Sequence, residues 1–475
     1  MKLKPVYILA VALAAAACKP GKITWSDSPV WPDYTDITIP VGIAPLNFQY
    51  VEDDIPVVTT FSCEGRSVAI RGTKVRWNIR KWHDFVEQAA GKDIHVSSSR
   101  EDIPDWTIHV SNDPIDYGVC YRLIAPGYET WSKIGFYERD LSTFKETPLL
   151  ENTQFTGCIN CHAFNNCSPE DFNLHVRGPN SGTLLRVDGV LDSYKTDTDS
   201  TLGSVAFAYW HPSGNYIAYS ANSFRQWFHE KTGKRLEVCD VAADLLIYDV
   251  RDHTLTTSSA VSGDDFRETY PAFSPDGKTL YYCAAKTLQL PDNIHNMWYN
   301  LCSVDFNAET GRPGTAVDTL IFAEDLHKSV SAPKPSFDGR FIMYTLSDYG
   351  TFSIWHRESD LWLLDLTTGQ TRPLEKANSD DSDSYHNWSS TSRWFVFASR
   401  RNNGLFSSLY LCHIDENGNE DKAFMLPQKD PVEYYLTQYR SFNIPEFITG
   451  PVNLDRMKAE KLIVRRKKTP FVYKP

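Results

Sequence analysis

Beyond its first twenty residues the chain has no apolar run long enough to cross a bilayer, for which a helix needs about 20 consecutive apolar residues. It has no Gly-x-Ser-x-Gly nucleophile elbow, no His-x-x-x-His pair and no glycine-rich phosphate loop. Serine hydrolases built on such an elbow, zincins and phosphate-loop enzymes are thereby excluded. Enzyme signatures are thin enough that a binder or carrier is expected before a catalyst. Basic residues are too few: the formal charge is −12, and nucleic acid, whose phosphates demand a basic surface, is not an expected partner. The run Asp380-Asp381-Ser382-Asp383 reads as a solvated loop or a weak calcium site. Long helical patterns are also scarce, whereas aromatics make up 13% of the chain, which favours a mainly β protein.

The first residues set the compartment. Lys2 and Lys4 precede a short apolar run from Val6 to Ala17, and Ala15-Ala16-Ala17 lead directly into Cys18. A run this short reads as a signal-peptide core. The ending resembles a bacterial lipoprotein cleavage box, which implies removal of residues 1–17 and a lipid on the Cys18 thiol. The mature chain would then be anchored to a membrane without spanning it. The expected location is the cell envelope, at the outer membrane facing the periplasm; simple secretion into the periplasm is the alternative.

The richest chemistry lies at Cys158-Ile159-Asn160-Cys161-His162. Cys-x-x-Cys-His is the spacing of a c-type haem attachment site. Two thiols add to the two vinyl groups, and the adjoining imidazole becomes an axial ligand of the iron. One covalent haem c is therefore expected, with electron transfer or redox sensing as its use. A disulfide between Cys158 and Cys161, or a zinc site that also recruits Cys167, are the competing readings. Ser168-Pro169-Glu170-Asp171 looks like a helix start, with Ser as cap and Pro in the first turn. Gly178-Pro179 would end that helix, which carries His175, the candidate second axial ligand. His211 and His386 are the reserves, and the methionines lie far away in sequence.

Four domains are expected in the mature chain: a small β-rich module over 18–115, a haem segment with possible propeller strands over 116–200, repeats over 201–450 and a basic tail over 451–475. In the first module, Trp77 to Ala90 reads as its one amphipathic helix, stopped by Gly91. The repeats are carried by Trp210-His211-Pro212-Ser213-Gly214, Phe273-Ser274-Pro275-Asp276-Gly277 and Pro335-Ser336-Phe337-Asp338-Gly339. Each turn lies between two apolar strands, and a fourth copy at Trp388-Ser389 has lost its glycine. Copies 53 to 63 residues apart suit one four-stranded blade each. This unit resembles the WD-like repeats of TolB-type β-propellers. The whole chain is similar to exported bacterial lipoproteins that join such a propeller to a Cys-x-x-Cys-His segment. The resemblance implies a propeller of about six or seven blades, and says little about function.

Aligning the repeats brings Phe224, Trp227 and His229 into register with His295, Trp298 and Tyr299, and with Phe352, Trp355 and His356. Loops at equivalent blade positions open on one face, so Trp227, Trp298, Trp355 and His356 mark a candidate binding face. An unknown protein or glycan partner would stack there, with the cysteine pair merely structural; mutual packing of the loops is the plainer reading.

Overall fold

The computed structural model describes residues 28–51, 55–125, 133–153, 155–203, 205–228, 236–465 and 467–474. Cys18, the signal segment and His229 lie outside them. Among the described residues no helix is long and apolar enough to cross a membrane.

Six antiparallel sheets form the blades of a propeller. Blade 1 takes 118–124, 135–140 and 146–151, with 441–448 as its innermost strand; blade 2 takes 158–164, 172–177, 182–187 and 190–195. Blade 3 uses 205–210, 216–228, 236–249 and 254–256, and blade 4 uses 266–273, 279–286, 300–307 and 312–321. Blades 5 and 6 follow as 329–335, 341–347, 360–365 and 371–373, then 383–388, 394–399, 408–413 and 424–425. Each inner strand touches the next, and the strand at 441–448 closes the cycle against 158–164. The repeats therefore extend beyond 201–450. Residues 116–200, expected as a haem segment with possible propeller strands, supply three strands of blade 1 and all four of blade 2.

The expected helix after Ser168 is absent. Residues Phe172–Arg177 are a strand, because Phe172, Leu174 and Val176 alternate and fill the core between blades 1 and 2. Ser168 and Pro169 make the turn that leads into it.

The Ser-x-Asp-Gly turns hold the blades together locally. In blade 4, Ser274 Oγ donates to Asp276 Oδ1 at 2.6 Å and accepts from the Thr279 amide at 3.0 Å, while Gly277 sits at φ 72°. Blade 5 repeats the contact through Ser336 and Asp338, with Gly339 at φ 74°. In the glycine-free copy Ser392 adopts φ 59°. His211, the reserve ligand, belongs to this system: Nε2 donates to Gly277 O at 3.0 Å and Nδ1 pairs with Ser213 Oγ at 2.8 Å.

The small β-rich module is a five-stranded sheet of 37–40, 106–111, 93–98, 57–63 and 66–72. It carries the one expected helix, at Ile79–Gln88, capped by Asn78 and burying Trp82, Phe85 and Val86. The module shares a continuous core with blades 5 and 6, and Tyr34 OH donates to Met425 O. Nor is the basic tail a free terminus. Its helix Arg456–Val464 buries Ala459 and Ile463 in the core of blades 1 and 2. Residues 469–470 and 472–473 then add edge strands to blades 2 and 3.

Replacing Gly277 by Ala forces a side chain into a left-handed backbone position and against the His211 ring. We expect a loss of ~1–2 kcal/mol, read as a lower denaturation midpoint in urea.

Candidate functional site

The site begins with a repeated irregularity. In every inner strand two residues stand opposite one on the neighbouring strand, a β-bulge that re-aims side chains. In five blades the first bulged residue has a left-handed backbone: Phe207, Tyr270, Ala332, Tyr385 and Ile444, at φ 46° to 52°. Such dihedrals are costly for non-glycine residues and persist where the surroundings impose them. The sixth bulge, in blade 2, is Asn160-Cys161, opposite His175. The cysteine motif thus lies on the propeller axis.

The bulge also explains the two thiols. Side chains three apart on a regular strand face opposite ways. One extra residue shifts that phase, and Cys158 and Cys161 both line a cavity of about 410 Å³ at one mouth of the axial channel. That volume falls within the ~300–1,000 Å³ of small-molecule and cofactor sites. Both cysteines carry free thiols; Cys161 is buried and Cys158 half-buried. The walls are Ile124, Ile134, Phe207, Phe224, Leu236, Val238, Phe352, Tyr385 and Ile444, with Arg122, Arg177 and Asn160 as polar members.

The two guanidiniums are held differently. Arg122 donates to Asn160 Oδ1 and to Asn443 Oδ1, both at 2.7 Å. Arg177 lies over the Phe224 ring at 4.9 Å, and burial pulls its pKa down. Neither makes an ion pair with a described carboxylate.

His162 follows the bulge and borders the narrow channel below the mouth, while its register partner Leu174 sets its ring in the core between blades 1 and 2. Its ring packs against Phe136, with centroids 4.6 Å apart. Burial pushes its pKa down to about 3, with Arg122 and Lys334 adding to the effect and the Cys120 backbone opposing it. Neither ring nitrogen makes a hydrogen bond of good geometry. Mouth cavity and channel share Cys161, Phe207, Tyr385 and Ile444 as wall residues. Cys158, Cys161 and His162 therefore adjoin one continuous lining.

His175 is not brought to that lining. Strand alternation puts it on the face of blade 2 opposite Leu174, whose register partner is His162. Its Nδ1 pairs with Thr183 Oγ1 at 2.9 Å. The expected pair of axial imidazoles on one cavity is thus not assembled. Cys167 is also separate: it is buried beyond the strand, its Sγ directed at Trp388 O. Among the described residues no three His, Cys, Asp or Glu side chains converge as a metal cluster.

A long hairpin roofs the mouth. The second and third strands of blade 3 run on past the sheet edge to Phe228 and from Leu236, with one register shift between Ser223 and Phe224, so that Phe224, Gln226, Leu236 and Val238 cover the cavity. Polar contacts clasp this roof to blades 4 and 5. Glu237 is buried, receiving Tyr349 OH at 2.9 Å and pairing with His356 Nε2 at 3.2 Å. Asp240 receives Asn222 Nδ2 at 2.9 Å and longer contacts from Tyr299 and Thr351.

This clasp uses part of the aromatic face. His356 is fully buried between Glu237 and Glu358. Trp355 lies beneath the Arg400 guanidinium at 4.1 Å, and Trp298 donates to Asp348 O. Trp227, half-buried, sits on the hairpin.

Arg122, Arg177 and the roof were not singled out from sequence. A signal did exist for the roof, since Phe224 to Trp227 and Val238 to Asp244 continue strands that the repeat already predicts.

No protein-family model and no curated protein matches the chain. Solved structures are similar to it. TolB from Acinetobacter baumannii is 13% identical with a TM-score of 0.42, over 70% of this chain and 67% of that one. A putative TolB from Agrobacterium tumefaciens is 15% identical with a TM-score of 0.37, over 67% and 94%. The periplasmic gluconolactonase of Pseudomonas aeruginosa is 14% identical with a TM-score of 0.37, over 79% and 96%. The β-propeller itself rests on the six sheets and their cyclic contacts described above.

The clasp has a definite pH dependence. Burial pulls the His356 pKa down, but its hydrogen bonds to Glu237 and Glu358 outweigh this and hold it above the ordinary value. Its stabilisation is complete below about pH 6.5 and is lost as pH rises through the raised pKa. Burial pushes Asp240 up to about 6, so its ionisation also disfavours the closed roof at higher pH. Amide exchange over 236–243, corrected for intrinsic rates, is expected to be faster at pH 8.5 than at pH 5.5. His356→Gln should flatten that difference.

Proposed function

We propose that the chain is an exported, Cys18-anchored propeller that holds one covalent haem c in the roofed mouth cavity and uses it for electron transfer or redox sensing. The observation that carries this is the convergence of the Cys158 and Cys161 thiols on one cofactor-sized apolar cavity. Export and the lipid anchor rest on the residues before and at Cys18.

The residues present fit the group. The two thiols offer both thioether positions, and His162 offers the buried imidazole that a haem iron takes as an axial ligand. Arg122 and Arg177, with no carboxylate paired to either, suit the two carboxylates of a porphyrin. The hairpin and the ring of Phe207, Phe224, Phe352 and Tyr385 keep water away from an apolar occupant. Bound there, haem supplies reversible one-electron chemistry. The chain's own part is to attach, orient and shelter it. His175, held by Thr183 on the other face, has a packing role.

A haem stain on a denaturing gel of native membranes, with intact mass on the same band, tests this reading. The expected result is a stained band heavier than the lipidated chain by one haem. Cys158→Ala with Cys161→Ala should abolish the stain while the propeller still folds. An unstained band carrying a Cys158–Cys161 bridge would instead leave a propeller scaffold with a structural cysteine pair.

A further inference from the structure

Residues 451–475 hold eight lysines and arginines against two acids, in a chain that carries −12 as a whole. The helix Arg456–Val464 turns one side inward, where Ala459 and Ile463 are buried. We propose that the opposite side of this helix is a docking face for an anionic phospholipid surface.

Helical spacing decides what that side presents. With 3.6 residues per turn, Met457, Lys461 and Val464 stack along one line, and Lys458 and Arg465 flank it on the same side. All five are exposed, Met457 at 70% and Val464 at 47%. No acid interrupts them. Glu460 lies on the other flank, tied to Arg456 at 2.9 Å, and Asp455 caps the helix by accepting the Lys458 amide at 3.0 Å. Arg465 shares Asp192 at 3.0 Å, but the ammonium groups of Lys458 and Lys461 have no ion-pair partner among the described residues. Beyond the helix, Lys467 and Lys474 are exposed as well.

The mixture identifies the partner. Apolar side chains interleaved with lysines, whose stems are themselves apolar, match the boundary between headgroups and acyl chains. The ammonium groups meet anionic headgroups there, while Met457 and Val464 leave water. Nucleic acid would satisfy the charges but give the two apolar side chains nothing, and the acidic remainder of the protein would repel it. Because the helix is packed on blades 1 and 2, the face is presented rigid and nothing has to fold on contact. Attraction of this kind is weak alone and adds to a lipid anchor as a second signal. It does not depend on what occupies the mouth cavity.

Vesicles are the probe, and the protein is the mature chain with Cys18→Ser, so that no acyl chain contributes. In sedimentation at low salt we expect binding to phosphatidylcholine vesicles rich in phosphatidylglycerol and none to phosphatidylcholine alone. High salt, which screens the charges, should release the protein. Lys458→Glu/Lys461→Glu, shown folded by circular dichroism, should bind at least about tenfold more weakly. Met457→Ser/Val464→Ser should also bind more weakly, at unchanged charge. Lys278→Glu/Lys286→Glu makes the same change of net charge at exposed positions of blade 4 and should bind like the parent. Failure of the parent to bind the anionic vesicles would overturn the proposal, as would equal binding to the neutral ones. So would a Lys458→Glu/Lys461→Glu variant that binds like its parent, or equal weakening by the blade 4 pair. A Met457→Ser/Val464→Ser variant that binds like its parent would overturn it in favour of charge attraction alone.

Discussion

The ring depends on one pairing, that of strand 441–448 with strand 118–124. It joins the end of the repeat region to its beginning across more than 300 residues, and gives blade 1 its inner strand. A propeller open at this seam would expose two inner edges and the apolar faces of blades 1 and 2. The seam is secured from both sides. Glu446, on the closing strand, accepts the Phe164 amide at 2.9 Å, which ties it to the strand bearing the cysteines. Outside, Val452 donates to Glu138 and the tail helix packs onto the same two blades. The motif is therefore held where the ring closes, and its geometry is set by contacts from both ends of the chain.

The bulges convert that ring into a site. A regular inner strand would direct alternate side chains into the two flanking blade interfaces and leave the axis lined by backbone. The extra residue turns a pair of side chains toward the axis at the same height in each blade. In five blades this requires a left-handed residue, even at the β-branched Ile444. The same device gives two thiols, three residues apart, a shared outlook. The Cys-x-x-Cys spacing and the β architecture are compatible only because the bulge falls between Ile159 and His162.

Much of the fold was legible before any coordinates. The Ser-Pro-Asp-Gly turns have a local cause, a side-chain-stabilised reversal with glycine at positive φ, and they were found with their strands. What was illegible was non-local or degenerate. Ser168-Pro169-Glu170-Asp171 satisfies the rules for a helix start, yet it is also a variant of the turn the repeats use. The alternation of Phe172, Leu174 and Val176 was the signal that decides between them, and it places His175 away from His162. The partner of strand 118–124 had no local marker, because it comes from the other end of the chain. Within the site, Cys158, Cys161 and His162 were readable as a motif. Arg122 and Arg177 were not, since ordinary surface arginines look the same in sequence. Lys334 did leave a trace: aligned copies have Tyr209, Ala272 and Asn387 where it stands, just before the turn.

Charge distribution links the two spaces on the axis. The chain as a whole carries −12, yet the mouth cavity is lined by two arginines and the channel beneath by a lysine. Glu446 is the only carboxylate in either lining, and burial favours its neutral form. The axis is thus a positive interior in an acidic protein. Apolar walls reduce screening there, and field from Arg122 and Lys334 already reaches His162, where both help to keep the imidazole neutral. This field also couples the levels, because Cys161 is common to both walls. Negative charge placed in the channel would ease formation of positive charge in the mouth above, as oxidation of a metal centre requires. The electrostatics of the channel and the redox poise of anything attached at Cys158 and Cys161 are in that sense one property of the ring.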